Sequence, residues 1–282
     1  DCGQVLTSHP LVARIAFTGG PETARHIVRN SAHNLAYTTL ELGGKSPILV
    51  FPDADLDSTV NAIIAGIFAA TGQSCVAGSR LLVHKDILPI LVERLKVRAA
   101  TIRIGPPDSM DTEFGPLATK RQLVHIEDLV ARSLDAGAEL IMGGKRPSSH
   151  TTGYYYEPTI LLCKQKDIPC LHEEFFGPVL SILPFENEED AIASANNTPF
   201  GLASGIFTRD LARAKRVSSA IRSGIVWINT YRMISPLMPF GGYGLSGLGR
   251  EGGAEAMLAY TRTKSVWIRT SDEPISDPFV MR

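Results

Sequence analysis

Of the four cysteines in this 282-residue chain, Cys2, Cys75, Cys163 and Cys170, only Cys75 has the setting of a nucleophile. It stands in Thr71-Gly72-Gln73-Ser74-Cys75-Val76-Ala77-Gly78-Ser79, with glycine on both sides. Glycine lets backbone N–H groups come close to a substrate, and small neighbours leave room for a bound carbonyl. A thiolate adds to an aldehyde carbon to give a thiohemiacetal. Hydride loss to a nicotinamide would leave a thioester, and the Cys75 N–H is a natural donor to the developing oxyanion. Against this stands the ordinary fate of a free cysteine, which is to act as a small buried hydrophobe.

Glu41 lies in Leu40-Glu41-Leu42-Gly43-Gly44-Lys45-Ser46-Pro47, a carboxylate among apolar neighbours. Burial is costly for such a group and raises its pKa toward the range of a general base at neutral pH. That base could activate water to hydrolyse a thioester. A glutamate that merely holds the turn at Gly43-Gly44 fits the same residues equally well. Phe17-Thr18-Gly19-Gly20 ends an apolar run and leads into a helical pattern, an arrangement that can meet a phosphate. It is not a GxGxxG motif, and a plain strand-to-helix turn explains it better when it is taken alone. Glu173-Glu174-Phe175-Phe176-Gly177-Pro178 sets a carboxylate beside aromatics before a Gly-Pro turn. Such a carboxylate could bond ribose hydroxyls, although in isolation the segment is more often a solvated acidic turn.

Together these segments resemble the aldehyde dehydrogenase family. The Glu41 segment is similar to the family's glutamate signature, and Gly72-Gln73-Ser74-Cys75 resembles its cysteine signature, 34 residues further on. Phe17-Thr18-Gly19, Glu174-Phe175-Phe176-Gly177-Pro178, Asn229-Thr230 and Pro239-Phe240-Gly241-Gly242-Tyr243 with Ser246-Gly247 follow in family order. The resemblance implies oxidation of an aldehyde to a carboxylic acid with NAD or NADP. Cys75 would be the nucleophile and Glu41 the general base. Gly19 and Gly20 would lie near the pyrophosphate, Leu42 and Gly43 would line the nicotinamide side, and Glu174 would bind the nicotinamide ribose with Phe176 close by. Asn229 would belong to the active-site neighbourhood. The tail from Thr263 to Arg269 resembles the family's oligomerisation strand, implying a homodimer or homotetramer.

Two departures accompany the resemblance. Gly20-Pro21 and Ala24 stand where the family commonly has Ser and a later Gly; proline is tolerated in a first helical turn. Family members also begin well upstream of Asp1, with a Pro-Trp-Asn type motif that completes the oxyanion hole and a Lys-Pro-Ser-Glu type motif for the adenosine ribose. Neither motif occurs here. The expectation is a cofactor sheet with an unpaired edge and exposed apolar surface, and a chain that is a poor or inactive dehydrogenase by itself. A non-catalytic subunit that assists oligomer assembly, or a residual thiol esterase, are the competing readings. No histidine is evident for a Cys–His pair, and Glu41 argues against a CoA-acylating enzyme.

The elements that must position these residues alternate between strand and helix, which argues for an α/β fold. Strand patterns cover Arg14–Thr18, Tyr37–Leu42, Pro47–Phe51, Arg80–His84, Glu139–Met142, Ser204–Phe207, Gly224–Asn229 and the tail Ser265–Arg269. Helical patterns cover Glu22–Ala36, Leu56–Thr71, Ile87–Ile102, Lys120–Ala136, Glu188–Asn196 and Leu211–Ile221. Pro239–Gly253 reads as a Gly-rich loop. The expected layout is aldehyde dehydrogenase-like. Residues 1–42 would be the remnant of an incomplete Rossmann-type NAD(P)-binding domain, residues 43–240 a catalytic domain on a mostly parallel sheet, and residues 241–282 a return segment and oligomerisation strand.

Composition agrees. A 44% hydrophobic content supplies a large core, and a formal net charge of -1 gives no reason to expect nucleic acid or an anionic membrane as partner. No apolar run is long enough to span a bilayer, and the first residues lack the pattern of a signal peptide. No CxxC pair or zinc-finger spacing suggests a metal, and free thiols point to a reducing, cytoplasmic setting.

Overall fold

Side chains on a strand alternate between its two faces, and here both faces are apolar. In the computed structural model, which describes residues 2–280, the chain runs α1 (Cys2–Ser8), β1 (Arg14–Thr18), α2 (Pro21–Ser31), β2 (Tyr37–Glu41), β3 (Pro47–Val50), α3 (Leu56–Phe68), β4 (Arg80–His84), α4 (Leu88–Ala100) and α5 (Lys120–Asp135). Next come β5 (Glu139–Met142), β6 (Thr159–Leu162), β7 (Val179–Phe185), α6 (Glu188–Asn196), β8 (Ala203–Phe207), α7 (Leu211–Ala220), β9 (Ile225–Ile228), β10 (Gly247–Leu248) and α8 (Gly253–Ala259).

The strands form two sheets. The larger has seven strands in the order β5-β6-β7-β4-β3-β8-β9, parallel except where β5 pairs with β6. Ile48, Val50, Leu81 and Ile182 face a core with Ile63 and Ile67 of α3 and Leu91 and Leu95 of α4. Their alternates Leu49, Leu82, Leu161 and Leu183 face a second core with Ile126 and Leu129 of α5 and Val217 of α7. A sheet covered on both faces is the usual setting of parallel strands. Four helices, α3, α5, α6 and α7, start where the sequence supplies a cap: Asp55, Thr119, Asn187 and Asp210 each accept a backbone N–H from the first turn.

The smaller sheet has the order β1-β2-β10, with β1 and β2 parallel and the late β10 antiparallel to β2. Its β1 edge is bare among the described residues. Val5, Leu6, Leu11, Val28, Leu35 and Tyr37, all within this N-terminal part of the chain, are exposed, as the sequence leads one to expect. Pro21 takes the first position of α2, directly after Gly20.

Several elements differ from the sequence pattern. The helix expected to reach Thr71 stops at Phe68, because Ala70 and Thr71 take left-handed φ values of 53° and 56°. The helix expected to reach Ala36 stops at Ser31. Strands β6 and β7 arise where no alternation marks them; nearly all their residues are buried on both faces, so periodicity is silent. Helix α1 and, just beyond the Gly-rich loop, helix α8 were also unmarked. The tail strand over Ser265–Arg269 does not form. A strand exists only through a partner's hydrogen bonds, and the segment has none among the described residues; Val266, Trp267 and Ile268 are exposed.

Arg80, 2% exposed, ties the large sheet to the segment that joins both sheets. Its Nε donates to Lys45 O at 2.8 Å, and its two terminal nitrogens donate to Ser194 O at 2.9 Å and Ala195 O at 2.7 Å, at the C-terminal end of α6. A cation there also meets the negative end of the helix dipole. Arg80→Met should strand the buried Lys45 and Ala195 carbonyls, Ser194 O keeping the Asn197 N–H, and lower unfolding free energy by about 3 kcal/mol. Urea denaturation measures it; a loss below about 1 kcal/mol would mean that water replaces the guanidinium.

Candidate active site

The two sheets meet through the short segment from Leu42 to Ser46. Glu41 is the last residue of β2, paired with Thr18 of β1 on one side and Gly247 of β10 on the other. Gly43 and Gly44 follow, and each is needed for close approach. A Cβ on Gly43 would overlap the carboxylate of Glu174, and one on Gly44 would lie 3.0 Å from the Cys75 carbonyl oxygen. The Gly44 N–H donates to Glu174 Oε1 at 2.8 Å.

The Cys75 loop is held from several sides. Gly72 has φ +68°, and a Cβ there would overlap the Gly177 carbonyl. Together with Ala70 and Thr71 it makes three successive left-handed residues, a conformation that costs energy at the two that are not glycine. Gln73 Oε1 accepts the Ala118 N–H at 2.9 Å, so its side chain fixes the loop. Tyr231 donates its hydroxyl to Val76 O at 3.0 Å, and Arg232 donates to Ser74 Oγ at 3.2 Å and Ala65 O at 3.1 Å. Glu174 and Phe176 are set by α5: Gln122 donates to the Phe175 and Phe176 carbonyls, and His125 Nε2 lies 3.0 Å from Glu174 O. Phe176 is itself left-handed, with φ 47°.

These segments enclose a cavity of about 360 Å³ at the C-terminal ends of β1 and β2. Every predicted residue of catalysis or cofactor binding lines it: Cys75, Glu41, Gly19, Gly20, Leu42, Gly43, Glu174 and Phe176. Thr18 and Phe175, members of the same two segments, line it too, as do Gln122 and His125, which no sequence motif marks. The spacing of Gln122 and His125, three apart and so on one face of α5, was the available signal. Asn229 is not part of the wall. Its amide is used by the β8–β9 end, accepting from Thr208 N at 3.0 Å and donating to Thr208 O at 2.9 Å.

The electrostatics are those of a desolvated site. Glu41 is 4% exposed, and neither carboxylate oxygen has a hydrogen-bond partner among the described residues. Its pKa is raised to about 7, chiefly by burial and also by Glu251, with Arg250 opposing the rise. Burial also pushes the Cys75 thiol up; the backbone N–H groups of Val76 and Cys75 pull it down, and the Glu41 and Glu174 carboxylates push it up again. Glu174 is raised by burial, against the Gly44 N–H and the charge of Lys45. A thiol and an unpartnered carboxylate in one cavity, with Gly19, Gly20 and Gly43 in its wall, can form and hydrolyse an acyl group on sulfur. Among the described residues no cluster of His, Cys, Asp and Glu has the makings of a metal site, and no helix is long and apolar enough to cross a membrane.

Glu41 makes stability depend on pH. Its folded pKa of about 7 exceeds the ordinary 4.5, so the unfolded chain gives up the proton first. The wild-type chain therefore loses stability as pH rises from about 4.5 to 7. Glu41→Gln, which mimics the protonated acid, should gain over wild type across that window and hold the gain above it. The expected gain is roughly 1–2 kcal/mol, damped by solvent in the cavity. Urea titrations at several pH values measure it; a gain independent of pH would mean that Glu41 titrates normally.

Residues 1–266 match the model of the aldehyde dehydrogenase family. The chain is 61% identical, over its whole length, to a protein of Acinetobacter baylyi named (Z)-2-((N-methylformamido)methylene)-5-hydroxybutyrolactone dehydrogenase, and covers 58% of it. Among solved structures it resembles PnpE from Pseudomonas sp. WBC-3, with a TM-score of 0.93, 43% identity, and coverage of 98% of this chain and 57% of that one. It also resembles betaine aldehyde dehydrogenase from Staphylococcus aureus in complex with NAD+, with a TM-score of 0.89, 37% identity, and coverage of 92% and 52%. The chain thus spans little more than half the length of these relatives.

Proposed function

The chain belongs to the aldehyde dehydrogenase family, and from that premise we propose that it carries the chemistry of an NAD(P)-dependent oxidation of an aldehyde to a carboxylic acid. The observation that carries this reading is the single cavity in which a thiol, a buried unpartnered carboxylate and a glycine wall converge. Cys75 is the nucleophile: its sulfur bonds to the aldehyde carbon, and its own N–H meets the charge that develops on oxygen. Glu41 is the general base. It takes a proton from water, the water oxygen bonds to the thioester carbon, the carbon–sulfur bond breaks, the carboxylic acid is released, and the Cys75 sulfur, still on the chain, takes the proton back.

The residues present fit the nicotinamide end of a dinucleotide. Glu174 keeps Oε2 available while Gly44 engages Oε1, Gly43 has no side chain to obstruct approach, and a Cβ at Gly20 would meet only open space. Gly19, Gly20, Leu42, Gly43, Glu174 and Phe176 would hold the cofactor. Bound NAD(P)+ supplies the hydride acceptor. The name of the Acinetobacter baylyi relative supports a substrate class: a 5-hydroxybutyrolactone opens to an aldehyde that also bears a carboxylate.

The domain assignment of residues 1–42, 43–240 and 241–282 is supported by the change of sheet after Glu41 and by the return of β10 to β2. Assembly as a homodimer or homotetramer through the tail is supported by its exposed, unpaired Val266, Trp267 and Ile268. The four unbridged thiols favour a cytoplasmic setting. A second reading, low turnover by the 282-residue chain alone, is favoured by the bare β1 edge and the exposed apolar groups of the N-terminal part of the chain.

Two measurements test this. An activated ester acylates the nucleophile without any cofactor. Cys75→Ala should abolish the covalent acyl-enzyme, and Glu41→Gln should form it but release it about 10²–10⁴-fold more slowly. Release at the wild-type rate would remove Glu41 from its role. With NAD+ and a simple aldehyde, the 282-residue chain is expected to turn over weakly, and robust turnover would reject the second reading.

A further inference from the structure

Cys163 and Cys170 stand outside the cavity, yet they form a second chemical cluster. Both are fully buried, and their Sγ atoms are 3.3 Å apart. They sit at the two roots of a short loop whose residues 164–167 are exposed. Their backbones are tied to the same strand: Cys163 N donates to Ile182 O at 2.8 Å, and Ser181 Oγ donates to Cys170 O at 2.9 Å.

Lys45 is the third member. It is 1% exposed, its Nζ has no hydrogen-bond partner among the described residues, and it lies 4.5 Å from the centre of the Phe175 ring. Its pKa is lowered to about 8, chiefly by burial and also by Arg80, while Cys170, Glu174 and Cys163 favour its charge. The hydrogen bond between the sulfurs makes the pair unequal: it draws Cys170 toward thiolate and holds Cys163 as thiol. A thiolate-prone sulfur beside a cation, with a second thiol in contact, is the arrangement that reacts with peroxide and then closes.

We propose that Cys163 and Cys170 form an oxidative modification site, at which a hydroperoxide converts the two thiols to a disulfide beside Lys45. The Cys170 sulfur attacks the distal peroxide oxygen and the O–O bond breaks, giving a sulfenic acid and water, or an alcohol if the oxidant is organic. The Cys163 sulfur then displaces hydroxide from Cys170, forming the S–S bond, and its proton leaves in a water molecule. The sulfurs give up two electrons together, and the peroxide takes them. The separation must close from 3.3 Å to about 2.05 Å. The 164–167 loop can supply that movement, and its local opening admits a small neutral oxidant. The movement reaches the cofactor side of the cavity, because Glu173 N is bonded to Pro169 O at 3.0 Å and Glu174 follows directly. The site is independent of the role assigned to Cys75.

The test treats the folded, reduced 282-residue chain with hydrogen peroxide, then alkylates it under denaturing conditions. Peptide mapping should find residues 163 and 170 in one linked peptide, lighter by two hydrogens and restored by dithiothreitol. A variant with Cys2→Ser and Cys75→Ser should lose both remaining thiols together. Adding Cys163→Ser to it should leave a Cys170 sulfenic acid that dimedone traps. The unmodified chain gives its own peptide map, so the result does not depend on a variant folding. Retention of both thiols under peroxide that consumes exposed Cys2 would overturn the proposal, as would links that join Cys163 or Cys170 only to other cysteines.

Discussion

Two adjacent residues without side chains, Gly43 and Gly44, set the spacing of the whole site. On one side the chain presses against the Glu174 carboxylate, where a Cβ has no room, and on the other against the Cys75 backbone. Three segments far apart in sequence come together there: the end of β2, the loop after α3, and the turn before β7. Arg80 anchors the same segment from below through the Lys45 carbonyl. A side chain at either glycine would push the Glu174 carboxylate or the Cys75 loop outward, and the cavity would lose the approach that defines it.

Such an approach is unfavourable taken alone. Glu41, Lys45, Glu174 and Arg80 are all largely removed from water, and Lys45 Nζ and both Glu41 oxygens lack protein partners among the described residues. Left-handed backbone at Ala70, Thr71 and Phe176 adds conformational cost. The compensation comes from the seven-stranded sheet, whose two apolar faces are sealed by α3 and α4 on one side and by α5 and α7 on the other. Rigid layers hold the strand ends at fixed positions, so short loops between them can be strained and still keep their shape.

How much of this is legible in the sequence depends on which force fixes each residue. Cys75, Glu41, Gly43 and Glu174 are singled out only when their segments are taken together in family order; taken alone, the Glu41 and Glu174 segments fit ordinary turns as well or better. Gln122 and His125 are not singled out, because they act through backbone carbonyls that only the folded chain brings to α5. Asn229 follows the same logic in reverse: its place in the order of motifs suggests the site, but its amide is spent on Thr208. Strands β6 and β7 escape because burial on both faces erases alternation. The tail reads as a strand from its side chains, yet no partner for it lies among the described residues of this chain.

The two titrating groups of the cavity constrain each other. Burial and the carboxylates of Glu41 and Glu174 hold Cys75 toward the thiol, and only the local N–H groups favour the thiolate. Glu41, raised to about 7, is near half ionised at neutral pH. When Glu41 is protonated, its opposition to the thiolate disappears, so proton gain on the carboxylate and proton loss from sulfur favour one another. When Glu41 is ionised, the thiol is stabilised, and in the proposed role the carboxylate is free to take a proton from water. In the proposed acyl-transfer cycle, one buried carboxylate would serve both halves, because the two groups' proton equilibria are coupled.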